Sequence, residues 1–100
     1  MKTRAVVFSP EARRDVLDLY QTIAGAASPT VALAYIERIE GFCLRFDLAS
    51  ERGRRRGDIR PGLRVTGFER RIAVAFTVGD GEVTILRLFS GGRDWEETMR

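Results

Sequence analysis

The sequence predicts an α+β fold in the order β-α-α-β-β-β. An N-terminal helical hairpin should pack on a mainly antiparallel sheet, with a short helix at the C-terminus. Three observations carry this expectation. Between residues 10 and 48, apolar side chains recur in steps of three and four. From residue 59 onward the period drops to two. Glycine, proline and aspartate punctuate the boundaries. A chain of 100 residues without repeats or a linker is expected to form a single domain over residues 1–100.

The elements follow in order. Residues 4–8 are rich in β-branched and aromatic side chains and read as a first strand, too short to stand outside the sheet. Ser9-Pro10-Glu11 then combines an N-cap, a first-turn proline and an acid at the positive end of a helix. Val16, Leu19, Tyr20 and Ile23 make that helix's apolar stripe, and Gly25 with the small residues after it ends it. Ser28-Pro29 repeats the start signal. Ala32, Tyr35, Ile36, Ile39, Phe42, Cys43 and Phe46 continue at helical spacing, so a second helix to about residue 48 would be about 30 Å long. Residues 50–58 hold no apolar side chain and read as an exposed loop. Ile59, Leu63, Val65 and Phe68 suggest a strand with Pro61-Gly62 bending its start, and Glu69-Arg70 a turn. Residues 72–78 and 83–89 are strong strands joined by the hairpin signal Gly79-Asp80-Gly81. Gly91-Gly92 stops the last strand, and Asp94 is placed to cap a final helical segment.

The chemistry is defined mostly by what is missing. There is no histidine, which removes the commonest general base and metal ligand, and only one cysteine, so neither a zinc site nor an internal disulfide is expected. No Walker A or GxGxxG pattern occurs, and no cofactor is expected. Cys43 sits within an apolar helical pattern and reads as a small buried hydrophobe. The carboxylate pairs Asp15/Asp18 and Glu37/Glu40 are interleaved with arginines and read as solvated helix faces. Tyr20 and Tyr35 lie on the stripes and read as packing in a core or groove. No run approaches the roughly 20 apolar residues of a membrane span, and the N-terminal apolar stretch is too short for a signal peptide. A cytoplasmic protein is expected.

Charge is unevenly placed. The net charge is +3, and all but one of the seventeen basic residues are arginines. Residues 51–71 hold eight arginines against Glu51, Asp58 and Glu69. Guanidinium groups suit bidentate contact with carboxylates or phosphates. Arg54, Arg55 and Arg56 form a cationic loop. Arg60, Arg64, Arg87 and Arg93 lie in or beside strands, where they can be held in place, and Trp95 adjoins them, either as an interface anchor or packed under the sheet. These eight are the candidate target-binding residues.

Three segments resemble ParE-type toxins of the RelE/ParE superfamily. The first is Ser9-Pro10-Glu11-Ala12-Arg13-Arg14-Asp15 with Leu19 and Ile23 after it. The second is Asp58-Ile59-Arg60-Pro61-Gly62-Leu63-Arg64. The third is Ile85-Leu86-Arg87-Leu88-Phe89-Ser90-Gly91-Gly92-Arg93-Asp94. The resemblance covers nearly the whole chain and implies the same β-α-α-β-β-β arrangement. It also implies a toxin of a bacterial type II toxin–antitoxin pair that arrests growth. A ParD-like antitoxin would neutralise it in a hetero-oligomer by laying its C-terminal segment over the toxin. Leu17, Tyr20 and Leu33 on the helical hairpin are the candidate antitoxin contacts. ParE-like members inhibit DNA gyrase by binding, whereas RelE-like members cleave messenger RNA in the ribosome. Lack of histidine, and of any tyrosine after Tyr35, favours the gyrase binder over the nuclease, since guanidinium is a poor base. Direct nucleic-acid binding by the chain alone is not expected. A ribosome-dependent endoribonuclease and a non-toxic antitoxin-binding partner are the alternatives. Ser90 stands where family members often carry histidine, a departure at the end of the sheet.

Overall fold

The computed structural model describes residues 3–48, 51–91 and 94–100. Strand β1 (Ala5–Phe8) leads into helix α1 (Pro10–Ala26) and helix α2 (Pro29–Leu44), which ends in a 3₁₀ turn at Arg45–Asp47. Strands β2 (Arg54–Arg55), β3 (Leu63–Phe68), β4 (Ile72–Val78) and β5 (Glu82–Ser90) follow, then helix α3 (Trp95–Met99). The five strands form one sheet in the order β1-β5-β4-β3-β2. Only the β1–β5 pairing is parallel; the others are antiparallel. Both long helices begin as the sequence dictates: Ser9 Oγ accepts from the Ala12 amide and Ser28 Oγ from the Val31 amide, each with proline in the first turn.

Alternation along the strands sorts side chains to two faces. The face toward α1 and α2 holds the larger core, in which Phe46, Val74, Phe76, Val83 and Ile85 are fully buried together with Ile39 and Cys43 of α2. The opposite face has its own core of Leu63, Ala75, Phe89 and Met99, with Ile59, Val65, Ala73, Leu86 and Trp95 around it. A register shift lets both cores close. Phe76 pairs with Ile85 but Ala75 with Arg87, so Leu86 is an extra residue that turns the end of β5 back into phase.

Several expectations change. The segment expected as an exposed loop forms β2, whose Arg54 and Arg55 pair with Val65 and Arg64 of β3. Three arginines in a row carry no apolar alternation, so the sequence held no sign of a strand there. Gly53 permits it, with φ of 75° and a position where a Cβ would lie 2.5 Å from the Val65 carbonyl oxygen. The second helix stops at Leu44, four residues short of the expected end. Ile59 lies in a turn and not in a strand, because the Arg56 and Leu63 amides close that turn on the Leu63 and Arg60 carbonyls. Asp94 occupies the N-cap position of α3, but its side chain accepts no cap bond; its backbone is not in the extended conformation a cap requires.

Asp15 is also not on a solvated face. β1 covers β5 only as far as Ile85. Beyond that, α1 serves the open strand edge with side chains: Ser9 Oγ donates to the Leu86 carbonyl at 2.8 Å, and the Leu88 amide donates to Asp15 Oδ2 at 2.9 Å. An unpaired strand edge is thereby closed by a helix.

Candidate functional site

Strand alternation divides the arginine block. Arg54, opposite Val65, points to the face of α3, while Arg55 and Arg64, opposite one another and beside Phe76, point to the face of the long helices. The sequence cluster is therefore two surfaces.

The first surface is a groove of about 540 Å³ on the α3 side of the sheet. Val65, Ala73, Phe89 and Trp95 give it an apolar floor and wall, and Arg54, Arg70 and Arg71 rim it. Among the described residues, no acidic side chain lines it. Its geometry depends on the β3–β4 turn, where Glu69 and Arg70 both take left-handed backbone angles, φ 49° and 60°. The strands are joined by Glu69, Arg70 and Arg71, closed by the Arg71 amide on the Phe68 carbonyl, and consecutive left-handed residues in such hairpin turns are normally glycine or asparagine. Long side chains there carry roughly 1–2 kcal/mol of strain each.

Beside the groove, Arg56 is locked. It makes a bidentate pair with Asp58 at 3.0 Å, bonds Glu96 of α3 at 2.9 Å, and lies over the Trp95 ring at 5.2 Å. The Asp58 and Glu96 bonds hold its guanidinium even more firmly protonated than usual, and Arg56 in turn lowers Asp58 below the ordinary carboxylate range. Arg87 is locked as well. It begins on the α3 face over the Phe89 ring at 4.9 Å and reaches Asp15 through two bonds of 2.7 and 3.1 Å. The Asp15 bond raises its pKa.

The second groove, about 910 Å³, lies on the other side of the β3–β4 turn, between that turn and the helices. Leu19, Ile23 and Val31 line it from the helices, with Tyr35 and Arg38 of α2 facing Glu69, Arg70 and Arg71. Arg38 and Glu69 form a bidentate pair at 3.1 and 3.2 Å. Its hydrogen bonds lower the Glu69 carboxyl and raise the Arg38 guanidinium.

A model of the ParE toxins of type II toxin–antitoxin systems, parDE, matches residues 6–95. The chain belongs to the ParE toxin family. The toxin's fold is similar to that of the chromosomal ParDE toxin–antitoxin system from P. aeruginosa, with a TM-score of 0.77 at 22% identity over 88% of this chain and 96% of that one. It is also similar to the RelBE2 toxin–antitoxin complex from Mycobacterium tuberculosis, with a TM-score of 0.59 at 20% identity over 93% and 97% of the two chains. No curated protein matches it significantly.

In the toxin, the candidate target-binding residues fall into three groups. Arg54 rims the α3-side groove, and half-buried Trp95 forms its wall. Arg55 and Arg64 share a separate cleft on the far side of β2, where Arg64 bonds the Arg52 carbonyl and lies 3.9 Å from Glu51. Arg56 and Arg87 are committed to internal pairs, Arg60 is exposed in the turn before β3, and Arg93 lies outside the described residues. Leu17 and Leu33 are more than half exposed, and Tyr20 is half-buried. Sequence reasoning counted Arg70 and Arg71 in the arginine block but left them out of the candidate contacts, although they serve both grooves, and it missed the Tyr35–Arg38–Glu69 group. The available signal was a charged turn between alternating strands, where glycine or asparagine is usual.

Cys43 is fully buried and its thiol is pushed up to about 12, by burial first and then by the charge of Glu40. Among the described residues, no group of three or more His, Cys, Asp or Glu is placed to hold a metal ion. No helix among them is long and apolar enough to cross a membrane.

Proposed function

We propose that the toxin arrests growth by binding DNA gyrase in the cytoplasm, without chemistry of its own, and that a ParD-like antitoxin neutralises it in a hetero-oligomer. One observation supports the binding reading above all: the α3-side groove presents Arg54, Arg70 and Arg71 and, among the described residues, no group able to take a proton. Cleavage of RNA by its own 2′-hydroxyl needs a base to activate that hydroxyl. Guanidinium stays protonated at any physiological pH. The chain has no histidine, and its tyrosines stand on α1 and α2, away from this groove. Arginine with a neighbouring tryptophan is instead the composition of a protein-binding hot spot. Arg54, Arg55, Arg60 and Arg64 with Arg93 and Trp95 are the proposed gyrase contacts, joined by Arg70 and Arg71 on the groove rim. Arg56 and Arg87 contribute by holding α3 and the end of β5. Leu17, Tyr20 and Leu33 on the helical hairpin are proposed antitoxin contacts.

A supercoiling assay tests the proposal. Purified toxin in excess should block gyrase, and an Arg54→Glu/Arg70→Glu variant should not. Undiminished supercoiling would refute it. Discrete codon-linked cuts in primer extension on a reporter message would replace it with the ribonuclease reading.

A further inference from the structure

We infer that the groove between α1, α2 and the β3–β4 turn seats an acidic, amphipathic segment of a partner protein, whose carboxylate displaces Glu69 from Arg38 and whose polar group accepts a hydrogen bond from Tyr35. The inference rests on the antitoxin reading above for the identity of that partner.

The central observation is the Tyr35 hydroxyl. It is shut off from solvent and, among the described residues, is the buried side-chain polar atom that has no hydrogen-bond partner. The residue is 9% exposed. A phenol in that position loses its water without compensation, and native proteins rarely leave such a group unpaired unless a partner is missing. The ring is fixed edge-on to Phe68 at 5.9 Å. The hydroxyl lies within the electrostatic reach of Glu69 and Arg71 across the groove. It is thus held by its own ring packing beside an open surface cleft.

The pair beside it is weakly held. Arg38 lies 4.9 Å from the centre of the Tyr35 ring and pairs with Glu69. Their side chains are 53% and 42% exposed, so the pair can open into water with little loss. A bidentate arginine–carboxylate pair has the same geometry whichever chain supplies the carboxylate. Glu69 occupies the place that a ligand's carboxylate would take.

The surroundings name the occupant. Arg38, Arg70 and Arg71 face a single acid, Glu69, so the rim attracts negative charge. Leu19, Ile23 and exposed Val31 supply the apolar wall. A segment with both an acidic and an apolar side satisfies both halves, in the manner of a helix laid in a groove.

The experiment titrates the intact toxin with a ParD-like antitoxin, using calorimetry. Tyr35→Phe should leave the melting temperature unchanged or raised, because it removes an unpaired hydroxyl, yet weaken binding by about tenfold. Glu69→Gln should tighten binding several-fold, because the internal competitor is gone. Wild-type affinity in Tyr35→Phe, or weaker binding in Glu69→Gln, would overturn the inference while leaving the antitoxin reading intact. A wild-type toxin that ignores the antitoxin would overturn both.

Discussion

Replacing Asp15 with alanine tests how the end of β5 is held. The Asp15 carboxylate accepts three bonds, two from Arg87 at 2.7 and 3.1 Å and one from the Leu88 amide at 2.9 Å. The Asp15 and Arg87 side chains are only 10% and 24% exposed. Alanine leaves a guanidinium without its anion and a strand amide without an acceptor. Removing one partner of a buried pair costs about 3–5 kcal/mol, and an orphaned amide about 1–3 kcal/mol. Arg87 can partly rehydrate at the edge, so the pair costs less than a fully buried one, about 2 kcal/mol, and with about 1 kcal/mol for the amide the loss is about 3 kcal/mol in all. A domain of this size loses roughly 4–8 °C per kcal/mol, so the melting temperature should fall by about 12–24 °C. Urea unfolding with linear extrapolation is the assay, and the slope should stay constant. Asp15→Asn should recover part of the loss, since its amide oxygen can still accept from Leu88. A double-mutant cycle with Arg87→Ala should show about 1–2 kcal/mol of coupling. A loss below about 1 kcal/mol for Asp15→Ala would refute the view that this carboxylate closes the sheet edge.

Cys43 should resist alkylation in the folded toxin at pH 8, because its thiol titrates at about 12, and react promptly once denaturant exposes it; rapid labelling of native protein would contradict its placement. Glu69 has its carboxyl lowered from 4.5 by Arg38. A lowered acid stabilises the fold above its unfolded pKa and loses that contribution as pH falls through the folded value. Its titration by NMR should therefore centre below 4.5 and return toward that value in Arg38→Ala. Gly53→Ala should weaken the β2 pairing, since the new Cβ would meet the Val65 carbonyl oxygen at 2.5 Å with φ at 75°. Faster amide exchange across β2 and a loss of about 1 kcal/mol or more would register it, and unchanged exchange would count against β2 as a strand.

By itself the sequence determined the helical hairpin, the three-strand meander and the buried state of Cys43. The reason is local: Ser-Pro starts, apolar spacing and glycine turns act within a few residues of where they occur. It also placed the chain among ParE-like toxins through residues 9–15, 58–64 and 85–94, consistent with the family match over residues 6–95. Only the tertiary structure decided which arginines act together. Pairing with β3 sends Arg54 and Arg55 to opposite faces of the sheet, Arg87 is taken up by an acid 72 residues away in sequence, Arg56 adds Glu96, 40 residues away, to its neighbour Asp58, and Tyr35 meets the turn of Glu69 and Arg71 across the groove. Such assignments depend on strand register and on contacts between distant segments, and a charged side chain carries no local preference that announces either.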